Sequence, residues 1–177
     1  AGDAIYLLGE THQELGASEL ACLLRDDYGG GIGGQVPCID AERNIALYRA
    51  LSAAISDGLV ASAHDCSDGG FATALAESCF GVDSGCTVDI SSLYVNDGDL
   101  DGWGALFGES LGRILVSVSS KDCEAFETAM AGHACQHIGE VGRGKKLTIN
   151  NGDETQLSAS ITTLRKGWKA TLDGGAP

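Results

Sequence analysis

His64-Asp65-Cys66-Ser67-Asp68-Gly69-Gly70 sits where an apolar stretch gives way to a helical pattern, and its reading decides what kind of fold the chain builds. Upstream, Leu59-Val60-Ala61-Ser62-Ala63 is short, apolar and bounded by Gly58, the signature of a mostly buried strand. Downstream, Phe71, Leu75 and Cys79 recur at helical spacing up to Gly81, which predicts a helix of about ten residues. Asp68 is placed to cap that helix, because its carboxylate can accept from an orphan N–H of the first turn. Gly69 and Gly70 then open the helix, and their missing side chains let another group approach the exposed donors. Two readings stay open. The turn contacts an anion or a magnesium-bound nucleotide, or it is a well-capped strand-to-helix turn and nothing more.

The same vocabulary continues outward in both directions. Ile5-Tyr6-Leu7-Leu8 predicts a first strand, followed by a helix that Ser18 can cap and that carries Leu20, Leu23 and Leu24. The run Gly29-Gly30-Gly31-Ile32-Gly33-Gly34 spells G-x-G-x-x-G, but a helix precedes it and Gln35-Val36-Pro37 follows. That is the reverse of a dinucleotide-binding context, so the run is a flexible loop. From an Asp40 cap, Leu47, Ala50, Leu51, Ala54 and Ile55 make one apolar stripe that ends at Gly58. Beyond the motif come a strand at Cys86–Ile90, an acidic surface loop at Asn96–Gly102, and a strand at Ile114–Val118. A helix capped by Ser120 carries Cys123, Phe126 and Met130, strands follow at Cys135–Val141 and Leu147–Ile149, and a last helix spans Ser158–Trp168. Several strand pairs are joined by turns too short for a helical crossover. The fold expected is therefore α/β in the broad, α+β sense: one mixed sheet flanked by helices in three layers, α/β/α.

Composition bounds the partners. The chain has 177 residues, enough for one domain with a sizeable core. Its 11 Lys and Arg against 25 Asp and Glu give a formal charge of −14, which repels nucleic-acid backbones and anionic membrane surfaces. A phosphorylated ligand would need Mg²⁺ or a partner to supply positive charge. No apolar run approaches the roughly 18 residues of a membrane span, and no leader-like segment opens the chain. The reading is of a soluble, cytoplasmic piece of something longer. Seven scattered cysteines with no Cys-x-x-Cys pair fit reduced thiols rather than a disulfide framework.

Three other constellations carry chemistry. His133 and His137 have metal-like spacing, but Gly132 and the strand predicted at Cys135–Val141 break the helix that would bring them together. Cys66 lies beside His64 and Asp65, yet neighbours on a strand face opposite ways, and an inert buried thiol is the simpler reading. Glu109-Ser110-Leu111-Gly112-Arg113 gathers a carboxylate, a hydroxyl and a guanidinium around a glycine. It can hold a phosphate or ribose, or it is the salt-bridged start of a strand.

Taken together, four segments resemble the synthetase subunit of phosphoribosylformylglycinamidine (FGAM) synthase, within the aminoimidazole ribonucleotide synthetase-related superfamily. They are Ile5–Thr11 with Glu14-Leu15-Gly16-Ala17-Ser18-Glu19-Leu20, Val36–Asp40, Ser62–Gly70 and Phe107–Arg113, and they run in the order of that family's last domain. The resemblance implies that residues 1–177 form a single C-terminal domain, like that of aminoimidazole ribonucleotide synthetase, in a larger multidomain ligase. That ligase uses ATP and Mg²⁺ to convert formylglycinamide ribonucleotide and glutamine-derived ammonia to the amidine in purine biosynthesis. It also implies that the catalytic histidine and the magnesium ligands lie in other domains, so that no catalytic or metal-binding residue is expected here and neither cofactor is bound tightly by this domain alone. Partners implied are the remaining synthetase domains, a glutaminase subunit and a small adaptor subunit. Asp65, Asp68, Gly69, Gly70, Glu109, Ser110 and Arg113 are the candidates for lining a substrate or nucleotide cleft. Ala17 and Gly108 depart from the family's usual Gly and Ser, and Gly108 removes a hydroxyl from the second cluster. The alternatives are the equivalent domain of another ATP-dependent member, such as aminoimidazole ribonucleotide synthetase or selenophosphate synthetase, and a non-catalytic packing module.

Overall fold

The computed structural model describes residues 1–28, 34–82, 84–93 and 100–170, with backbone alone described at 26–28 and 82. All but Gly34 of the glycine run, and residues 96–99 of the acidic loop, lie outside these residues. Among these described residues seven strands and six α-helices follow one another as β1 (Ala4–Leu8), α1 (Glu19–Tyr28), α2 (Ala41–Ser56), β2 (Ser62–Asp65), α3 (Gly70–Val82) and β3 (Cys86–Asp89). Then come α4 (Gly102–Phe107), β4 (Ile114–Val118), α5 (Cys123–Ala129), β5 (Cys135–Val141), β6 (Lys146–Asn151), β7 (Glu154–Ser160) and α6 (Ile161–Ala170).

The strands make one sheet in the order β2-β4-β1-β5-β3-β6-β7. β3 and β6 run parallel, and the other pairings of the described strands are antiparallel. β1 lies inside the sheet and explains the three layers. All five of its residues are buried, because side chains alternate between faces and both faces are covered. Ile5 and Leu7 pack with Phe71 and Leu75 of α3, Ala105 and Leu106 of α4 and Ile161 of α6. Ala4, Tyr6 and Leu8 pack on the other face with Leu47, Leu51 and Ala54 of α2 and Phe126 of α5. The mixed, helix-flanked sheet is thus as expected from the sequence.

Two caps also form as expected. The Ser18 hydroxyl accepts from the Ala21 N–H at 3.1 Å, and Asp40 accepts from the Arg43 N–H at 3.1 Å. Other expectations need correction. The stretch read as a mostly buried strand at 59–63 is in strand only at its last two residues: β2 runs Ser62–Asp65 at the edge of the sheet, where it pairs with β4 alone, and residues 61–63 are exposed. Ser120 caps nothing: α5 begins after Asp122, whose side chain makes no capping bond either. The helix drawn from Ser158 starts instead at Ile161, since residues 154–160 pair with β6 as a seventh strand. Ile55, placed on the apolar stripe of α2, is half exposed.

The antiparallel pairings decide where a site can lie. β1 and β2 end, and β4 and β5 begin, at the same edge of the sheet. The segments Gly9–Leu15, Cys66–Gly69, Phe107–Arg113 and His133–Ala134 therefore meet there.

Candidate functional site

At that sheet edge lies an open cleft of about 600 Å³, lined by Asp65, Ser67, Asp68, Glu109 and Arg113 together with Pro37 and Tyr48. Asp65 ends β2, and its carboxylate accepts a short hydrogen bond from the Ser67 hydroxyl. That bond, with help from its own backbone N–H, holds the Asp65 carboxyl below its ordinary range. Cys66 turns inward and is buried. Burial pushes its thiol up to about 11, so it is protonated at neutral pH and is no nucleophile.

Asp68 does not cap α3. The turn is instead held by Glu109, whose Oε1 accepts from the Gly69 N–H at 2.9 Å and from the Glu19 N–H, the first residue of α1, also at 2.9 Å. One carboxylate oxygen thereby ties the start of α1 to the turn before α3. Gly69 and Gly70 have φ of +78° and +67°, a left-handed pair that L side chains adopt only with strain. Gly70 also lies against the 107–108 backbone, where a Cβ would come within 2.4 Å of the Gly108 carbonyl oxygen. The glycine pair is thus required by the turn and by packing, and the Gly69 N–H is already occupied by Glu109.

The second cluster divides in two. Ser110 is buried, and its hydroxyl accepts from the His12 N–H at 3.0 Å, so it fixes the loop after β1 and does not face the cleft. Arg113 is only 1% exposed. Its guanidinium donates to the Gly108 carbonyl through Nη2 and to the Thr11 hydroxyl through Nη1, at 3.4 Å for the latter. Its Nε is buried without a partner. Burial lowers the Arg113 pKa, opposed by the nearby Cys66, Glu14 and Glu109. This is a buried cation held by carbonyl and hydroxyl oxygens, not the salt-bridged strand start that the sequence left open.

Glu14 is a residue that sequence reasoning missed. It is 2% exposed, its Oε1 accepts from the Cys38 N–H at 3.0 Å, and its Oε2 has no partner. Its backbone carbonyl accepts from the Glu109 N–H. No local pattern marks it, because the groups it serves lie in other segments. A second cavity of about 420 Å³ adjoins the first at Leu111 and is lined by Glu10, His12, Arg43 and His133. Arg43 bridges Glu10 at 2.8 Å and Asp40 at 3.2 Å across its rim.

Of the seven candidates, Asp65, Asp68, Glu109 and Arg113 converge on the cleft, while Gly69, Gly70 and Ser110 shape its walls from behind. The described residues contain no group of three or more His, Cys, Asp or Glu side chains placed to hold a metal ion. Chemically, the cleft offers carboxylate acceptors beside a desolvated cation, which suits hydroxyl groups and cation-neutralised phosphate. It does not pair a base with a nucleophile. No helix among the described residues is long and apolar enough to cross a membrane.

The family described as AIR synthase related protein, C-terminal domain, matches residues 1–150. Among solved structures, the chain is similar to Thermotoga maritima PurL complexed with FGAR, with a TM-score of 0.78 at 19% identity over 92% of this chain and 28% of that one. It is similar to phosphoribosylformylglycinamidine synthase II of Thermotoga maritima, with a TM-score of 0.74 at 19% identity over 92% and 26%. It is also similar to the hydrogenase maturation protein HypE in complex with ATP, with a TM-score of 0.62 at 19% identity over 91% and 50%. The chain spans about a quarter of the two Thermotoga maritima chains and half of HypE. At such identities the likeness is one of fold.

Proposed function

The chain belongs to the family of AIR synthase related proteins as a C-terminal domain, and from that premise we propose that residues 1–177 are the closing α/β domain of an FGAM synthase synthetase subunit. The parent enzyme would consume formylglycinamide ribonucleotide, ATP and ammonia released from glutamine, and yield the amidine, ADP and phosphate. The observation that carries this reading is the convergence of Asp65, Asp68, Glu109 and Arg113 on one cleft at the sheet edge, each from a segment that resembles the family. The segments Ile5–Thr11, Ser62–Gly70 and Phe107–Arg113 are what favour FGAM synthase, since the fold itself is similar to PurL and to HypE alike.

In this reading the domain forms one wall of a cleft that another domain of the same subunit completes. Glu109 holds the turn, Arg113 supplies fixed positive charge under the surface, and Asp65 and Asp68 face whatever enters. ATP and Mg²⁺ would be held mainly by residues outside this chain, and Asp65 and Asp68 are the side chains here suited to a magnesium-bound phosphate. A glutaminase subunit, a small adaptor subunit and a cytoplasmic location belong to the same proposal.

The test is made in the complete parent protein with formylglycinamide ribonucleotide, ammonia and ATP as substrates. Phosphate release that requires all three is the expected result, and release indifferent to the ribonucleotide would overturn the assignment. Replacing Asp68→Asn then separates a cleft wall from a packing wall. A cleft residue loses activity by about tenfold or more with the melting temperature unchanged. Unchanged activity would remove Asp68 from the cleft.

A further inference from the structure

Away from the cleft, Cys79 near the end of α3 and Cys86 at the start of β3 are both buried in the first core, with their sulfurs 3.8 Å apart. Nothing in the proposed reaction uses them. All seven cysteines are free thiols, and the sulfur–sulfur hydrogen-bond contact among the described residues is that of Cys79 with Cys86. Both cysteines line a cavity of about 280 Å³ between the α3 end and the β2-β4-β1 side of the sheet, walled by Leu75, Leu115 and Val116 as well as by Ser62, Ser78 and Ser117. Such a cavity is roomy enough for solutes of water's size, and its serines offer them hydrogen-bond partners.

We propose that Cys79 and Cys86 are a peroxide-sensitive dithiol that closes to a reversible disulfide. The cavity supplies what burial would otherwise deny, a path for a small neutral oxidant to the sulfur edge. In the first step the Cys79 sulfur attacks hydrogen peroxide, an S–O bond forms, the O–O bond breaks, and water leaves with a sulfenic acid on Cys79. In the second, the Cys86 sulfur attacks that sulfenic sulfur, the S–S bond forms, the S–O bond breaks, and the hydroxyl leaves as a second water with the Cys86 proton. Two thiols and one peroxide thus become one disulfide and two waters, and a dithiol reductant reverses the change.

The assignment of roles follows from the pair's surroundings. The Cys86 thiol holds Cys79 below its ordinary range, whereas Cys86 itself is pushed up by Cys79 and by burial. The more acidic sulfur is the better first nucleophile. Cys66, buried in the same core with its thiol pushed up to about 11, has no thiol partner and serves as an internal negative control. The exposed Cys22 and Cys38 serve as positive controls for oxidation. This inference is independent of the proposed function.

The experiment uses the full polypeptide that carries this chain, reduced and then exposed to graded hydrogen peroxide. Free thiols are blocked with an alkylating reagent before tryptic mapping. Arg49 and Arg113 are successive cleavage points, so Cys66, Cys79 and Cys86 leave in one peptide, 50–113. Expected is a peptide two hydrogens lighter that carries one alkyl group, on Cys66, and that recovers three after dithiothreitol. Cys79→Ala and Cys86→Ala should each abolish the mass loss. Retention of all three alkyl groups at a peroxide dose that oxidises Cys22 and Cys38 would overturn the proposal. So would a disulfide that includes Cys66.

Discussion

Glu109 shows how much a single carboxylate can settle. By accepting from both Gly69 and Glu19 it holds two chain segments at the mouth of the cleft, a role that capping logic assigned to Asp68. The error is instructive, because an N-cap is read from residues a few positions apart, whereas Glu109 lies 40 residues from the turn it holds. Local physics identified the turn and read its glycines as an opening for an approaching group, but could not see the left-handed φ they adopt or which distant acceptor the fold delivers. The glycine pair offers a sharp check. Gly70→Ala must adopt a left-handed φ and drive a Cβ toward the Gly108 carbonyl, an obstacle of backbone that cannot rotate away. Gly69→Ala shares the backbone strain, and its Cβ meets the Thr73 side chain, whose hydroxyl can turn aside while its own Cβ, at 3.0 Å, must give by a few tenths of an ångström. We expect Gly69→Ala to lose about 1 kcal/mol and Gly70→Ala about 3 kcal/mol or more, measured by urea unfolding of the two variants against the parent. Equal losses would mean that strain alone, and not the 107–108 contact, makes Gly70 necessary.

β1, α1, α2, α3, β3, β4, α5, β5 and β6 each stand where hydrophobic spacing put them, to within a few residues at their ends, although the caps expected for α3 and α5 do not form. The seventh strand was missed because Glu154-Thr155-Gln156-Leu157-Ser158-Ala159-Ser160 is an edge strand with little to bury. Its identity comes from pairing with β6, and only the residues on β6 reveal that. The helix after it was drawn too early for the same reason, although its apolar phase through Ile161, Leu164 and Trp168 is right. α6 docks on α3 through that phase. Trp168 donates from Nε1 to Glu77 Oε1 at 2.9 Å, its ring lies 5.7 Å from that of Phe80, and Arg165 sits over the same Phe80 ring. Because Trp168 is half exposed, Trp168→Ala should lower stability by only about 1–2 kcal/mol. It should raise amide exchange in α6 far more than in α2, as followed by hydrogen exchange. Uniform exchange across both helices would mean that α6 is not a separately docked element.

The two cores share one strand, and that sharing decides how the molecule unfolds. Ile5 and Leu7 belong to the core under α3, α4 and α6, while Ala4, Tyr6 and Leu8 belong to the core under α2 and α5. Neither face can lose its packing and leave β1 intact, since each would expose alternate residues of a strand buried on both sides. The two tryptophans make the point testable, because Trp103 in α4 and Trp168 in α6 both report on the first face. Leu8 is fully buried on the second. Leu8→Ala removes apolar contacts from a well-packed site and should cost about 2–5 kcal/mol. If the sheet couples the faces, tryptophan fluorescence shifts to lower urea by the same amount as far-UV circular dichroism, although the cavity is on the opposite side from both indoles. A fluorescence midpoint that stays put while the dichroism midpoint falls would show that the faces unfold separately. The cleft at the sheet edge would then rest on two independently mobile halves, since α2 and α3 each contribute to its surroundings through Tyr48 and the turn at Gly69.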